Sequence, residues 1–204
     1  GGLNDTALTH TSEPTLLNGE VDWVYEEELD VRSNTFWSPD SKHIAYLQMD
    51  EATVPTYPIP DWIPTHSTVY QQRFPQPGDP NPDVRVGIVA ANGGGTVWMH
   101  VPMSQHNDYI PRFGWLDNRH VWIEVLRRDH RHLELFFADT ETGAVRPVLA
   151  ETAHTFFDEN YDMHFLPGGQ FLWSSWRDGH THLYLYRYDA GPPMELGRAS
   201  CRER

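Results

Sequence analysis

The chain has 204 residues and sets 15 Lys and Arg against 29 Asp and Glu, a formal charge of −14. Eight Trp, nine Tyr and nine Phe are too many for a disordered acidic chain, so a packed core in one or two domains is expected. The acidic balance excludes the basic stripe that nucleic-acid binding requires, and no apolar run approaches the ~18 residues of a membrane span. The single Cys201 leaves neither an intrachain disulfide nor a thiolate metal cluster. Residues 1–5 carry no start signal, so the chain is expected to begin within a longer protein, which leaves export open.

The first marked feature is DWVYEEEL at 22–29. Three adjacent carboxylates, Glu26, Glu27 and Glu28, repel one another unless water or a cation relieves them. In a helical turn two neighbours can converge on one small cation. An ammonium group, with three donors, matches such a pair through charge-assisted bonds, and capture of a peptide N-terminus is one use of that chemistry. The alternative is a solvated acidic turn, the usual fate of a charge run.

Beyond it, helix periodicity is weak and strand signals recur. HIAYLQ at 43–48 is apolar and aromatic. The stretch 50–83 is rich in Pro and aromatics; its prolines lack backbone donors, so it is expected to be a loop or excursion rather than a central strand. Further strands are expected at 84–90, 96–101, 121–126, 133–138, 171–174 and 183–188, with a tight turn at 140–143 before an outer strand. NGGG at 92–95 has no Lys-Ser/Thr and no helix behind it. It reads as a hairpin turn, not a phosphate cradle.

The strands form an imperfect repeat: FWSPDSKHIAY at 36–46, FGWLDNRHVW at 113–122 and FLPGGQFLW at 165–173. Each is an aromatic, a turn pair and a second apolar run, followed by another strand. A four-stranded up-and-down sheet repeating every ~40–50 residues marks β-propeller blades. The expected fold is therefore all-β, a partial propeller of about three blades over residues 1–196. Closed propellers have roughly four to eight blades, so the chain is expected to be a fragment. Trp37, Trp115 and Trp173 recur in these units and are expected in the blade core. Residues 197–204, GRASCRER, hold the only Cys and three basic residues. They resemble the translation of a sequencing adapter and are expected to be non-native.

Several residues invite chemistry without completing it. The pairs His130/His132 and His180/His182 could each sit on one strand face, yet no third ligand at zinc spacing accompanies them, so no metal and no cofactor is expected. Arg177 and Asp178 are expected to form a local ion pair in a turn.

The order of DWVYEEEL, FWSPDSKHIAYLQMDEATVPTY and VYQQRFPQPGDPNPDVRVGIV resembles the dipeptidyl peptidase IV family over most of residues 18–189. The resemblance implies an N-terminal propeller followed by a C-terminal α/β-hydrolase domain with a Ser-Asp-His triad. It also implies release of N-terminal dipeptides with Pro or Ala second. The second and third residues of the family's acidic triplet, here Glu27 and Glu28, would hold the substrate's free α-amino group. By the same resemblance, residues 70–77 would line a contact with a partner subunit or the hydrolase domain. A homodimer would form in the full protein, and export to the periplasm or beyond fits better than the cytoplasm.

Other parts of the family pattern are missing. No G-x-S-x-G elbow occurs, and Ser38, Ser41, Ser104, Ser174 and Ser175 lack its flanking glycines. Neither the hydrolase domain nor the earlier propeller segment that would give the substrate site an arginine lies in this sequence. The stretch 155–164 lacks the family's arginine-containing pattern and is assigned no site. The fragment alone is expected to be inactive. The alternative from another class is a non-catalytic propeller that binds peptide or protein.

Overall fold

The structure, a computed structural model, describes residues 6–157, 163–177 and 179–188. It is built of short antiparallel strands grouped in three blades, the β-propeller architecture expected from the repeat.

The first blade begins with two short strands, β1 (Leu16–Asn18) and β2 (Thr35–Trp37). Both lie along the same partner, β3 (His43–Asp50). A π-helical turn, Val24–Glu28, lies between them. Next come an exposed hairpin of β4 (Thr56–Asp61) and β5 (Thr68–Arg73), then β6 (Asp83–Ala90) paired with β3, and β7 (Val97–Trp98). The second blade is a plain meander of β8 (Phe113–Trp115), β9 (His120–Leu126), β10 (His132–Asp139) and β11 (Val145–Thr152). The third comprises β12 (Met163–Leu166), β13 (Gln170–Ser175) and β14 (His182–Arg187).

Short polar side chains set the turns of the repeat. The Ser38 hydroxyl accepts the N–H of Lys42 and His43. Asp117 accepts those of Arg119 and His120, and Asp139 those of Glu141 and Thr142. Each side chain substitutes for a backbone acceptor and closes the chain reversal.

Blades are joined by aromatic contacts and buried polar bonds. Between the first two, Phe36 meets Phe113 edge-on at 5.0 Å, and the Trp115 indole donates to the Phe36 carbonyl at 2.8 Å. Between the second and third, Phe137 packs on Phe165, Phe171 and Tyr188. Buried Glu151 on β11 there accepts from the Trp173 indole (3.0 Å), the Ser175 hydroxyl (2.8 Å) and Arg177. A buried carboxylate is tolerable only when paired and bonded in this way.

Four expectations can be set beside the structure; those for 96–101 and Trp37 need correction. The insert 50–83 contains a regular hairpin despite its prolines. Pro58 and Pro60 are two residues apart, so both donorless nitrogens face one edge, and the ladder to β5 continues through the residues between. The strand expected at 96–101 shortens to two residues, Val97–Trp98: the Met99 N–H still reaches the Val86 carbonyl of β6 at 3.0 Å, and the next N–H, that of His100, donates to the Gly143 carbonyl of the second blade instead. Trp37, expected in the core, is 58% exposed on the innermost strand, whereas Trp173 is 1% exposed. The two lie on different strands of their blades, first and second, so the aligned tryptophans are not equivalent. Finally, Arg177 pairs with Glu151; Asp178 lies outside the described residues, as does the whole 197–204 tail.

Gly143 ends the turn between β10 and β11 with φ +75°, and a Cβ there would lie 2.2 Å from the Trp98 carbonyl oxygen. Its own carbonyl accepts the His100 N–H at 2.9 Å, so this turn is also a joint between blades. Gly143→Ala combines left-handed strain with a backbone clash and is expected to cost about 2 kcal/mol or more. Denaturant unfolding of purified protein checks this; an unchanged midpoint would contradict it.

Candidate functional site

The acidic triplet sits on an excursion from the innermost strand of the first blade. β1 and β2 are two halves of one strand position, and residues 19–34 leave the sheet between them. Both ends of the excursion close on a single residue of β3: the Leu47 carbonyl accepts the Gly19 N–H at 2.9 Å, and the Leu47 N–H donates to the Asn34 carbonyl at 3.0 Å. Gly19 makes the exit at φ +68°, where a Cβ would lie 2.9 Å from the Thr35 methyl group. The loop is thus pinched at its base, which lowers the entropy it must lose to hold one shape.

The π turn itself is fixed at several points. Leu29 N–H reaches the Val24 carbonyl at 3.1 Å, the i to i+5 bond of a π turn, a form frequent at functional sites. The Asp22 carboxylate accepts the Tyr25 N–H at 2.9 Å and so satisfies a donor at the start of the turn. Its other oxygen is buried without a hydrogen-bond partner among the described residues, and burial raises the Asp22 pKa. Tyr25, Leu29 and Val31 point into the core. The Tyr25 hydroxyl accepts the Ile110 N–H at 2.9 Å, and an Arg112 guanidinium nitrogen donates to the Leu29 carbonyl at 2.7 Å. Trp23 packs on Phe74 at 4.7 Å, which ties the turn to the foot of the β4–β5 hairpin.

Against this buried frame, Glu26, Glu27 and Glu28 are all exposed. Among the described residues no Lys, Arg or His forms an ion pair with any of them. The two predicted site residues, Glu27 and Glu28, are therefore adjacent on one rigid turn with their acceptors directed to solvent. Sequence reasoning identified the carboxylates but missed the parts that hold them. Gly19 and the Asp22-x-x-Tyr25 spacing were readable signals; the role of Arg112, 83 residues from Leu29, had none.

In an antiparallel meander the second-to-third turn of each blade and the connection to the next blade lie at one end. That end carries the β4–β5 hairpin, the 99–112 connection, the 127–131 turn, residues 153–157 and, between β13 and β14, residues 176–177 and 179–181. Rings run across it, from Tyr25 to Tyr109 (6.1 Å), to His130 (5.8 Å), to stacked Phe156 (4.5 Å). A cleft of about 690 Å³ opens there beside Glu151, His154, Phe156, Trp176 and Arg177. The histidine pairs do not assemble a site: His132 approaches Asp129 at 3.7 Å, His130 stacks on Phe156, and the His180 and His182 rings are 6.4 Å apart. Among the described residues no group of three His, Cys, Asp or Glu is placed to hold a metal.

The model of the dipeptidyl peptidase IV N-terminal region matches residues 1–200. The chain belongs to this family. A solved dipeptidyl peptidase 4 from Porphyromonas gingivalis superposes with a TM-score of 0.85 at 25% identity, covering 96% of this chain and 28% of that one. Dipeptidyl peptidase 4 of Trichophyton rubrum is 27% identical over 93% of this chain and 26% of its own length. Dipeptidyl aminopeptidase B of Saccharomyces cerevisiae is 24% identical over 80% of this chain and 21% of its own. The chain thus spans about a quarter of the length of its relatives. Within the dipeptidyl peptidase IV N-terminal region, the fold and the acidic turn both fall inside the matched span.

Buried Glu124 lies on β9, where its N–H donates to the Arg112 carbonyl at 2.9 Å. Desolvation raises its pKa to about 8, and nearby Arg112 only partly offsets this. Between pH 4.5 and 8 the folded state keeps a proton that the unfolded chain has released. Stability from this group is therefore full below pH 4.5 and is lost progressively as pH rises toward about 8. Glu124→Gln, which carries no titrating proton, should flatten that decline and raise the melting temperature at pH 7.5 more than at pH 5. Melting curves across this range test it; parallel curves for both proteins would refute the buried-acid origin.

Proposed function

We propose that this chain is the propeller part of a serine-type dipeptidyl peptidase and that Glu27 and Glu28 anchor the substrate's α-amino group. The observation that carries the reading is the pair of solvent-facing carboxylates, free of ion pairs among the described residues, on a turn whose flanking Tyr25 and Leu29 side chains are buried in the core. Water can hydrate such a pair, but a primary ammonium supplies a matching charge and three donors. Fixing the amine fixes the register of the peptide. The scissile bond then falls after the second residue, and the two carboxylates contribute position rather than bond breaking. The nucleophile belongs to an α/β-hydrolase domain outside this sequence, so the chain alone is inactive. Pro or Ala as the second residue and an exported location come from family resemblance.

The peptide N-terminus is one partner and the hydrolase domain another; a second copy is the third. The β4–β5 hairpin displays Tyr57, Ile59, Val69 and Tyr70, with Trp62 77% and Ile63 94% exposed at its tip. Apolar exposure of this kind marks an interaction surface. The outward-facing prolines 58 and 60 blunt one edge against strand addition, leaving the side-chain faces to make the contact.

In the full-length enzyme, Glu27→Gln and Glu28→Gln should each lower kcat/KM on a free-amine dipeptidyl p-nitroanilide by about 10- to 100-fold, the scale of one charge-assisted bond. Unchanged rates in both variants would refute the amine anchor. If the encoded protein instead lacks a hydrolase domain, the chain is a peptide-binding propeller. For the hairpin, the double change Trp62→Asp and Ile63→Asp should shift the sedimentation of the full protein toward monomer; an unaltered dimer would place the interface elsewhere.

A further inference from the structure

We infer that Arg112 is a positioning residue for the acidic turn, setting the placement of Glu27 and Glu28 from the joint between the first two blades. The inference rests on the amine-anchor reading above. The triplet at 26–28 is bracketed by Tyr25 and Leu29, and each bracket is held by the same short segment leading into β8. The Tyr25 hydroxyl takes the Ile110 N–H at 2.9 Å; the Leu29 carbonyl takes the Arg112 guanidinium at 2.7 Å.

Three features make the Arg112 contact more than packing. The Leu29 carbonyl ends the turn and follows Glu28 by one residue, so its orientation is passed directly to that side chain. Carbonyls at a helical terminus have no partner within the turn and need one from outside. The following residue, Asp30, has φ +48°, a left-handed conformation unfavourable to a non-glycine residue that persists where its surroundings impose it.

Arg112 is well placed to impose it. The same guanidinium nitrogen also donates to the Pro111 carbonyl at 2.8 Å, and the Arg112 carbonyl accepts the buried Glu124 N–H at 2.9 Å. Its backbone is therefore part of the second blade while its side chain reaches into the first. Any shift between these blades is transmitted to the end of the acidic turn. Placement errors of about 1 Å in a substrate-orienting group lower rates substantially.

The test uses the full-length enzyme and a double-mutant cycle. Arg112→Met should lower kcat/KM on a free-amine dipeptidyl p-nitroanilide by about 10-fold, mainly through KM, while the labelling rate by a fluorophosphonate probe changes less than about 2-fold. Arg112→Lys, which keeps a donor, should recover most of the loss. On a Glu28→Gln background the Met substitution should have less than about 2-fold further effect, because residues acting through one another are not additive. Backbone hydrogen exchange should accelerate in 24–31 and not across β9 and β10. Should the Met protein not accumulate folded, Arg112→Gln, too short to reach Leu29, carries the same expectations. Full additivity with Glu28→Gln, or unchanged exchange in 24–31, overturns the positioning role. Loss of no activity in Glu28→Gln and Glu27→Gln themselves would instead overturn the anchor reading.

Discussion

The arrangement depends on the backbone of one residue. Leu47 lies in the middle of β3, where its side chain is fully buried and its backbone faces the innermost position of the blade. Its carbonyl and N–H take the two ends of the 19–34 excursion. A strand that leaves a sheet ordinarily strands donors and acceptors on its neighbour, and unpaired buried backbone groups are costly. Here the exit and the re-entry share one residue, so the ladder of β3 continues with β1 on one side of Leu47 and β2 on the other. The sheet therefore accommodates a 16-residue detour without losing a rung. The constraint falls on Gly19, whose left-handed backbone and lack of a Cβ permit the exit beside Thr35.

Once its ends are pinned, the loop is ordered by burial of its apolar residues. Tyr25, Leu29 and Val31 enter the core, each contributing roughly 1.5–3 kcal/mol of the hydrophobic kind when fully buried. Spacing then decides the rest. With Tyr25 and Leu29 directed inward, the three residues between them have nowhere to go but outward. The carboxylates are displayed because the frame is buried, and like-charge repulsion among them is relieved by water. A turn that held its acids through its own ion pairs would leave less capacity for an arriving cation.

The propeller was legible because its signal repeats. Alternating apolar residues such as Val86 and Ile88, and turn formers such as Asp117 and Asp139, state the same local physics in each blade. Glu27 and Glu28 stood out as candidates because adjacent carboxylates are unusual beside aromatics, and family resemblance singled them out from the triplet; the structure adds that both are exposed on a turn with a buried frame. The β4–β5 hairpin was not legible as strand, since proline at 58 and 60 lowers strand propensity and only their two-residue spacing, placing both on one edge, rescues the pairing. Trp37 was misplaced because sequence alignment of the repeats slid across a strand boundary, and a one-strand slip exchanges core for surface. The holds on the acidic turn were invisible for a different reason. Ile110 contributes through its backbone, and Arg112 through a carbonyl far away in sequence; neither leaves a pattern of residue types.

The same division explains why the acidic turn needs its second blade. Glu27 and Glu28 lie on the first blade, yet the two groups that fix the turn's flanks come from the entry to β8. On the proposed reading, an amine held by two carboxylates is located only as well as those carboxylates are located. Long Glu side chains lose considerable rotamer freedom on engaging a ligand, so a backbone held in place limits the remaining uncertainty to the side chains themselves. A single blade could display the acids but not fix both flanks of the turn, because the groups that hold Tyr25 and Leu29 by hydrogen bonds, Ile110 and Arg112, come from the neighbouring blade. Support from a neighbouring blade turns a surface loop into part of the joint, and the precision of the site becomes a property of how two blades pack.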